Sequence, residues 1–141
     1  LDGGRLGIAS QALGIARACI EDAVKYAQER KQFDQPIGNF QAIQWMIADM
    51  WTEYQAAWLM VWRASLMKDK GIPYSIESAA AKLKASEVAS FCANKCVQIH
   101  GGYGYTEDFN AERYLRDAKI CEIYEGTSEI QRLVISRSLL K

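Results

Sequence analysis

The chain contains three long stretches in which apolar residues recur every three or four positions, the spacing of one face of an α-helix. They run from residue 2 to about 31, from near 40 to 69, and from about 75 to 99. The predicted buried faces are Leu6, Ala9, Leu13, Ala16, Ile20, Ala23 and Ala27; Ile43, Ile47, Met50, Tyr54, Ala57, Val61 and Ala64; and Ala81, Ala85, Val88, Cys92, Cys96 and Ile99. The wetter sides of the third helix are expected at Lys82, Lys84, Glu87 and Lys95.

The segments between these stretches carry residues that interrupt helices. Pro36 and Gly38 break the segment 30–39, while Gly71 followed by Pro73 is typical of a helix C-terminus. A short helix is predicted over 111–117. Because short connections join antiparallel neighbours, the pattern predicts an all-α protein, an up-down-up-down four-helix bundle.

The fourth helix of this bundle is predicted to follow Ser128, its N-cap. A hydroxyl there suits an N-cap, and Gln131, three residues later, suits the returning bond of a capping box. The apolar face of this helix is marked by Ile130, Leu133, Val134 and Leu140. Glu125 then lies just outside the helix, on a turn next to Gly126.

Four tryptophans on the second helix, Trp45, Trp51, Trp58 and Trp62, lie mostly off its buried stripe. Two interpretations stay open. They either pack inside the chain, or they are exposed and belong to a subunit or domain interface.

Composition excludes several classes of function. Hydrophobic residues make up 50% of the 141 residues, as in a folded domain, and 17 basic residues balance 17 acidic ones. A nucleic-acid partner and a polybasic membrane patch are therefore not expected, and charges interrupt every apolar run that would span a membrane. The chain starts without Met, so we expect it to be cut from something longer.

The four cysteines and one histidine do not predict a metal site. Cys19, Cys92, Cys96 and Cys121 form no C-x-x-C pair, and His100 alone cannot complete a usual zinc site with them. One histidine also excludes a di-iron bundle. We expect buried free thiols in a reduced, intracellular compartment.

Two stretches carry candidate chemistry. Glu125, on a turn beside a glycine that lets a substrate approach, suits a general base that removes a proton from carbon. The alternative is an acidic residue favoured by a helix macrodipole. The turn at 101–105 exposes backbone N–H groups to which a phosphate could bind, or it merely ends the third helix.

Four motifs in order resemble the C-terminal domain of acyl-CoA dehydrogenases, most closely the short-chain, butyryl-CoA type from bacteria. They occupy residues 1–5, 26–33, 98–105 and 113–132, the last containing Tyr-Glu-Gly-Thr-Ser-Glu. The resemblance covers residues 1–141. The family's N-terminal helical domain and middle β-domain are absent from this chain.

The resemblance implies a role for each motif. Glu125 becomes the base that removes the α-proton of an acyl-CoA thioester while the β-hydrogen leaves as hydride to FAD, giving a trans-2-enoyl-CoA. The implied substrate contacts are Asp2, Arg5, Tyr124 and Gly126. The implied FAD contacts are Arg30, Gln41, Gln98, Ile99, His100, Gly101, Gly102, Thr127, Ser128 and Glu129, some reaching the FAD of an adjacent subunit.

The resemblance also implies partners and a cellular setting. These are an acyl-CoA substrate, an electron-transfer flavoprotein or similar acceptor, and a homodimer or homotetramer, in the bacterial cytoplasm or the mitochondrial matrix. Without a β-domain, the isolated domain is expected to be inactive. The competing readings are a plain oligomerisation module and a flavin oxidase of the same superfamily.

The resemblance also predicts where Gly4 lies. In branched-chain and long-chain relatives the base is borne near the position that Gly4 matches, while the Glu125 position holds a small residue. The resemblance therefore implies that Gly4 and Glu125 lie close to the same reacting carbon.

Overall fold

The computed structural model describes residues 1–141 and is almost entirely helical. Its helices are α1 (Asp2–Glu29), α2 (Gln41–Asp69), α3 (Ser75–His100), α4 (Ala111–Ile120) and α5 (Ser128–Leu139). Two-residue strands, β1 (Lys31–Gln32) and β2 (Gln35–Pro36), pair between α1 and α2, and a 3₁₀ turn (Gly101–Tyr105) follows α3. The predicted all-α fold is confirmed.

The core lies where α3 meets the other four helices. Every residue predicted for the buried faces of α1 and α3 is buried, as are Met50, Tyr54, Ala57, Val61 and Ala64 of α2. Many of these residues are alanines, which allow helix axes to approach closely. The two short helices α4 and α5 both pack on α3.

The connection between α1 and α2 is a tight hairpin rather than an irregular loop. Lys31 pairs with Pro36 and Gln32 with Gln35 in antiparallel register. The turn residues Phe33 and Asp34 have φ values of +52° and +60°, the left-handed conformation that two-residue hairpins require.

The predicted end of α2 is confirmed, but the predicted start of α5 is wrong by one residue. Gly71 has φ +66° just after α2, as expected for a C′ glycine. Thr127, not Ser128, is the N-cap of α5, and its side chain accepts a hydrogen bond from the Ile130 N–H. The capping box does not form, because the Gln131 side chain bonds elsewhere.

Burial also corrects two predictions about polar and apolar faces. Lys82, expected on a wet side of α3, is fully buried. On α5 the polar Ser128 and Gln131 are buried, whereas Ile130 and Leu133 of the predicted apolar face are exposed. Burial in this chain therefore follows which residues have partners across the bundle, and not their polarity alone.

The structure decides the open question about the tryptophans. Trp45, Trp51, Trp58 and Trp62 are 41–62% exposed, so they do not form part of this chain's core. The four cysteines are buried and free, as predicted, and burial raises the pKa of Cys92 to about 12. None of the helices combines the length and apolarity needed to cross a membrane.

Candidate functional site

Glu125 lies in the loop between α4 and α5, on a backbone that ordinary residues avoid. Its φ is +55°, and that of the following Gly126 is +90°. A left-handed conformation at a non-glycine residue costs on the order of 1–3 kcal/mol and persists only where neighbours enforce it. Contacts with neighbouring residues must therefore hold the backbone of this turn in place.

Two buried side chains enforce this turn. The Lys82 ammonium donates to the Gly126 carbonyl at 2.7 Å, and the Gln131 amide donates to the Glu125 and Gly126 carbonyls at 3.1 and 2.9 Å. Gly126 also has to be glycine for space, because a Cβ there would lie 2.7 Å from Gln131 Nε2. The backbone at 125–126 is thus fixed from α3 and from α5.

Flanking residues tie down the rest of the loop. Glu122 accepts hydrogen bonds from Lys119, at 2.6 Å, and from Ser90 of α3. Burial alone raises the pKa of Glu122, but these two bonds outweigh it and hold the pKa below its usual value. The Tyr124 hydroxyl donates to Gln11 of α1 at 2.6 Å, so the loop is anchored to α1 as well.

The carboxylate of Glu125 is exposed and lies against the first turn of α1. A Cβ built on Gly4 would be 2.9 Å from the carboxyl carbon of Glu125 and still closer to one of its oxygens. The two positions are 121 residues apart in sequence, so only the fold brings them together. The structure therefore brings Gly4 next to the Glu125 carboxylate.

Asp2 and Arg5 form an ion pair beside this turn. Arg5 is buried and donates to Asp2 at 2.6 Å, and Asp2 also accepts a hydrogen bond from Ser75 at the start of α3. The Nε of Arg5 is buried without a partner. This pair fixes the start of α1, where Gly4 lies.

A second cluster of predicted residues forms a groove at the opposite end of the bundle. The groove has a volume of about 470 Å³, and its lining includes Arg30, Ile99, His100, Gly101 and Gly102. The Arg30 guanidinium lies 5.6 Å from the Tyr103 ring centroid and has no carboxylate partner. A Cβ on Gly101 or Gly102 would meet nothing within 4 Å, so their backbone is open to a ligand.

The His100 side chain forms part of the floor of this groove. Its Nδ1 lies 2.8 Å from the Cys96 carbonyl, an acceptor, so Nδ1 carries the hydrogen. The ring stacks on Tyr26 at 4.2 Å and contacts the edge of Phe109. The imidazole is held rigidly in one orientation.

The two clusters are far apart within one chain. Gly4 and Arg30 are 26 residues apart on or just beyond α1, which corresponds to about 39 Å at 1.5 Å per residue. Thr127 and the exposed Glu129 lie beside the Glu125 turn, with Ser128 buried between them. Gln41 and Gln98 are exposed and do not line the groove.

Sequence reasoning missed the residues that support the Glu125 turn: Lys82, Ser90, Gln11 and the carbonyl-binding role of Gln131. Only Lys82 left a signal. It stands four residues after Ser78 and three before Ala85, which is the spacing of a buried helical face, and both of these neighbours are small and buried.

Comparisons with known proteins agree with the motifs. Residues 1–140 match the family model described as "Acyl-CoA dehydrogenase, C-terminal domain". The chain is 51% identical to the short-chain-specific acyl-CoA dehydrogenase of Clostridium acetobutylicum and 55% identical to the NADH-dependent acryloyl-CoA reductase of Anaerotignum propionicum, in each case over all 141 residues. The matched residues cover 37% of the Clostridium protein and 36% of the Anaerotignum protein.

A solved structure gives the same answer for the fold. The butyryl-CoA dehydrogenase of Megasphaera elsdenii superposes with a TM-score of 0.98 at 47% identity, over 99% of this chain and 37% of that one. The chain thus spans a little over a third of the proteins that it matches. Fold, motifs and family model together show that this chain belongs to the acyl-CoA dehydrogenase family, as its C-terminal domain.

Proposed function

We propose that this chain is the C-terminal domain of an FAD-dependent dehydrogenase that converts acyl-CoA thioesters to trans-2-enoyl-CoA products in fatty-acid β-oxidation. Glu125 is the base that removes the α-proton. The observation that carries the proposal is the exposed Glu125 carboxylate on an enforced left-handed turn, occupying the space that a side chain at Gly4 would need.

The freedom of the Glu125 carboxylate supports its role as a base. Glu122, three residues earlier, is bound by Lys119 and Ser90, but no side chain in the structure binds the Glu125 carboxylate. A general base must come within hydrogen-bond reach of the proton that it removes, and a carboxylate without a side-chain partner is free to do so. Of the two loop glutamates, only Glu125 has a carboxylate without a side-chain partner.

The substrate is proposed to lie along the first turn of α1 and the Glu125 turn. Gly126 follows the base on the turn and is proposed to contact the thioester, and Tyr124 is held by its bond to Gln11. The ion pair of Asp2 and Arg5 forms the wall on the CoA side. A short-chain acyl group is proposed because the motifs are most similar to the short-chain type.

The groove at the other end of the bundle fits part of an FAD molecule. An unpaired guanidinium at Arg30 and open backbone at Gly101 and Gly102 suit a pyrophosphate, which needs planar donors and close approach. When bound, FAD supplies the acceptor for the substrate's hydride, a capacity that carboxylates lack. Ile99 and His100 would form the groove floor, while Gln41 and Gln98, which do not line the groove, are proposed to contact FAD outside it.

The separation of the two clusters supports an oligomer as part of the proposal. Arg30 lies about 39 Å along α1 from Gly4, so the groove of one chain serves the FAD whose base belongs to a neighbouring chain. Thr127, Ser128 and Glu129 are proposed to contact the FAD beside their own Glu125. A homodimer is the smallest assembly that completes both sites, and a homotetramer repeats it.

The relative from Anaerotignum favours a second candidate function, in which the net reaction is reduction of an enoyl-CoA. It is an acryloyl-CoA reductase, and this chain is as similar to it as to the dehydrogenase relatives. The same base can return a proton to the α-carbon when an enoyl-CoA is reduced. An electron-transfer flavoprotein is proposed as the redox partner in either direction.

An anaerobic flavin assay on the full-length protein tests the proposal. We expect butyryl-CoA to bleach the flavin absorbance band faster than octanoyl- or palmitoyl-CoA. Faster reoxidation of reduced enzyme by acryloyl-CoA than reduction by propionyl-CoA favours the reductase direction, and rapid oxygen consumption favours an oxidase. Absence of bleaching by any acyl-CoA contradicts the proposed activity.

A further inference from the structure

Lys82 is a buried cation in an otherwise apolar part of α3. Its side chain has no exposed surface and no carboxylate partner, and its ammonium donates to the Gly126 carbonyl. Lys84, two residues further along the same helix, is partly exposed and pairs with Glu53 of α2. Burying a charge costs free energy unless hydrogen bonds or opposite charges compensate for the lost hydration.

The charges around Lys82 come from the loop and from α1. Burial lowers the pKa of Lys82, while Cys121, Glu122 and Glu125 favour its charged form and Arg5 disfavours it. The ammonium therefore lies inside the electrostatic environment of the Glu125 turn. Its position is not explained by an ion pair within α3.

The hydrogen bonds of Lys82 and Gln131 converge on the same two peptide groups. Both side chains donate to the Gly126 carbonyl, and Gln131 also donates to the Glu125 carbonyl. Fixing these carbonyls fixes the left-handed backbone at Glu125 and so the direction in which its side chain leaves the chain. Neither donor contacts the carboxylate itself.

We infer that Lys82 is a positioning residue for Glu125, its ammonium holding the Gly126 carbonyl so that the turn presents the carboxylate beside Gly4. The inference rests on the proposed function of Glu125 as the base. Misplacement of a reacting group by about 1 Å can slow a reaction about 10²-fold. Lys82 should accordingly control the rate of proton removal more than the binding of substrate.

Lys82→Met in the full-length, FAD-loaded protein tests this inference. Methionine has a similar length and suits the buried site, but it cannot donate to Gly126. We expect single-turnover flavin reduction by butyryl-CoA to be about 10²-fold slower, with the Kd for butyryl-CoA and the flavin spectrum unchanged. Lys84→Met is the matched control and should reduce flavin at the wild-type rate.

The outcomes separate this inference from the proposed function. Glu125→Gln is measured in parallel, and its normal reduction would overturn the function and the inference together. If Glu125→Gln is inactive but Lys82→Met matches Lys84→Met, only the role of Lys82 is overturned. Binding of butyryl-CoA that weakens as much as reduction slows also overturns it, since that result indicates general damage.

A second variant covers the case in which Lys82→Met does not fold with FAD. Gln131→Met removes the other donor to the same carbonyls. Reduction at least about tenfold slower with unchanged butyryl-CoA binding supports the positioning of Glu125 by this pair of donors. Reduction within about threefold of wild type overturns it.

Discussion

Glu122 and Glu125 differ in what surrounds them, although they stand three residues apart in one loop. Glu122 is bound by Ser90 and Lys119, and these bonds lower its pKa. Glu125 has the left-handed backbone and an unbound carboxylate next to Gly4. At the scale of single residues, one glutamate anchors the loop and the other has no side-chain partner.

Glu125→Gln in the full-length enzyme should leave FAD bound but slow flavin reduction by orders of magnitude. The amide has the same shape as the carboxylate but cannot accept the α-proton. Stopped-flow reduction by butyryl-CoA measures this. Glu122→Gln is the matched control, and it should reduce flavin within about threefold of the wild-type rate while losing about 0.5–1.5 kcal/mol of stability. Near-normal single-turnover reduction by Glu125→Gln excludes Glu125 as the base.

Moving the carboxylate to position 4 should restore part of the activity lost in Glu125→Gly. Glycine accepts the φ of +55° without strain, and removing the Glu125 side chain frees the space that a side chain at position 4 needs. Recovery should be incomplete, because a displacement of about 1 Å can reduce the rate about 10²-fold.

The measurement is flavin reduction by Gly4→Glu/Glu125→Gly compared with Glu125→Gly alone. Gly4→Ala in the wild-type background is the control for crowding, since its Cβ would push the Glu125 carboxylate aside and slow reduction. A folded double variant that holds FAD and acyl-CoA, yet is no faster than Glu125→Gly, contradicts a shared reacting carbon.

At the scale of elements, α3 links the two clusters. Its N-terminal half carries Lys82 under the Glu125 turn, and its last turn carries Ile99 and His100 in the groove. The 3₁₀ turn that follows packs back onto this last turn. A Cβ on Gly104 would lie 2.6 Å from the Val97 carbonyl oxygen and 2.8 Å from His100 Cβ.

Gly104→Ala should therefore destabilise the chain by about 1–3 kcal/mol, because the backbone of α3 cannot move aside as a flexible side chain can. Urea unfolding of the 141-residue chain, followed by circular dichroism, measures this. Gly102→Ala is the matched control in the same turn, where a Cβ meets nothing within 4 Å, and it should change stability by less than about 0.5 kcal/mol. Equal stability of the two variants would show that the turn does not pack as described.

At the scale of the whole molecule, the chain exposes many large apolar side chains, including aromatic ones. Trp58 and Trp62 stack on each other with ring centroids 6.0 Å apart, and both are about half exposed. Ile130 and Leu133 of α5 are also exposed. With equal numbers of acidic and basic residues, no net charge opposes association.

The isolated 141-residue chain should be strongly helical, self-associated and colourless. Burial of the exposed tryptophans favours association, and a chain that supplies only part of each FAD site should not retain the cofactor. Sedimentation and the absorbance spectrum measure both properties. Trp58→Glu/Trp62→Glu should shift the chain toward monomer. A colourless monomer of the unmodified chain contradicts the association, and a yellow fragment with bound flavin contradicts the cofactor part.

The sequence by itself determined the helices and the family. Apolar positions at steps of three and four residues report burial on a helix directly, which is why every residue predicted for the buried faces of α1 and α3 is buried, although polar members of those faces such as Arg5 and Lys82 were missed. The motifs around Arg30, Gly101 and Glu125 identified the family because their residues are contiguous in sequence. Local patterns and short motifs need no knowledge of distant partners.

Only the tertiary structure decided which polar residues are buried and which apolar ones are not. Lys82 is buried because a carbonyl 44 residues away accepts its hydrogen bond, and Gln131 because it bonds the same turn. Gly4 meets Glu125 across 121 residues. Helical periodicity shows that a face exists but not what it meets, so a buried ammonium and an exposed tryptophan depend on contacts that no local pattern contains.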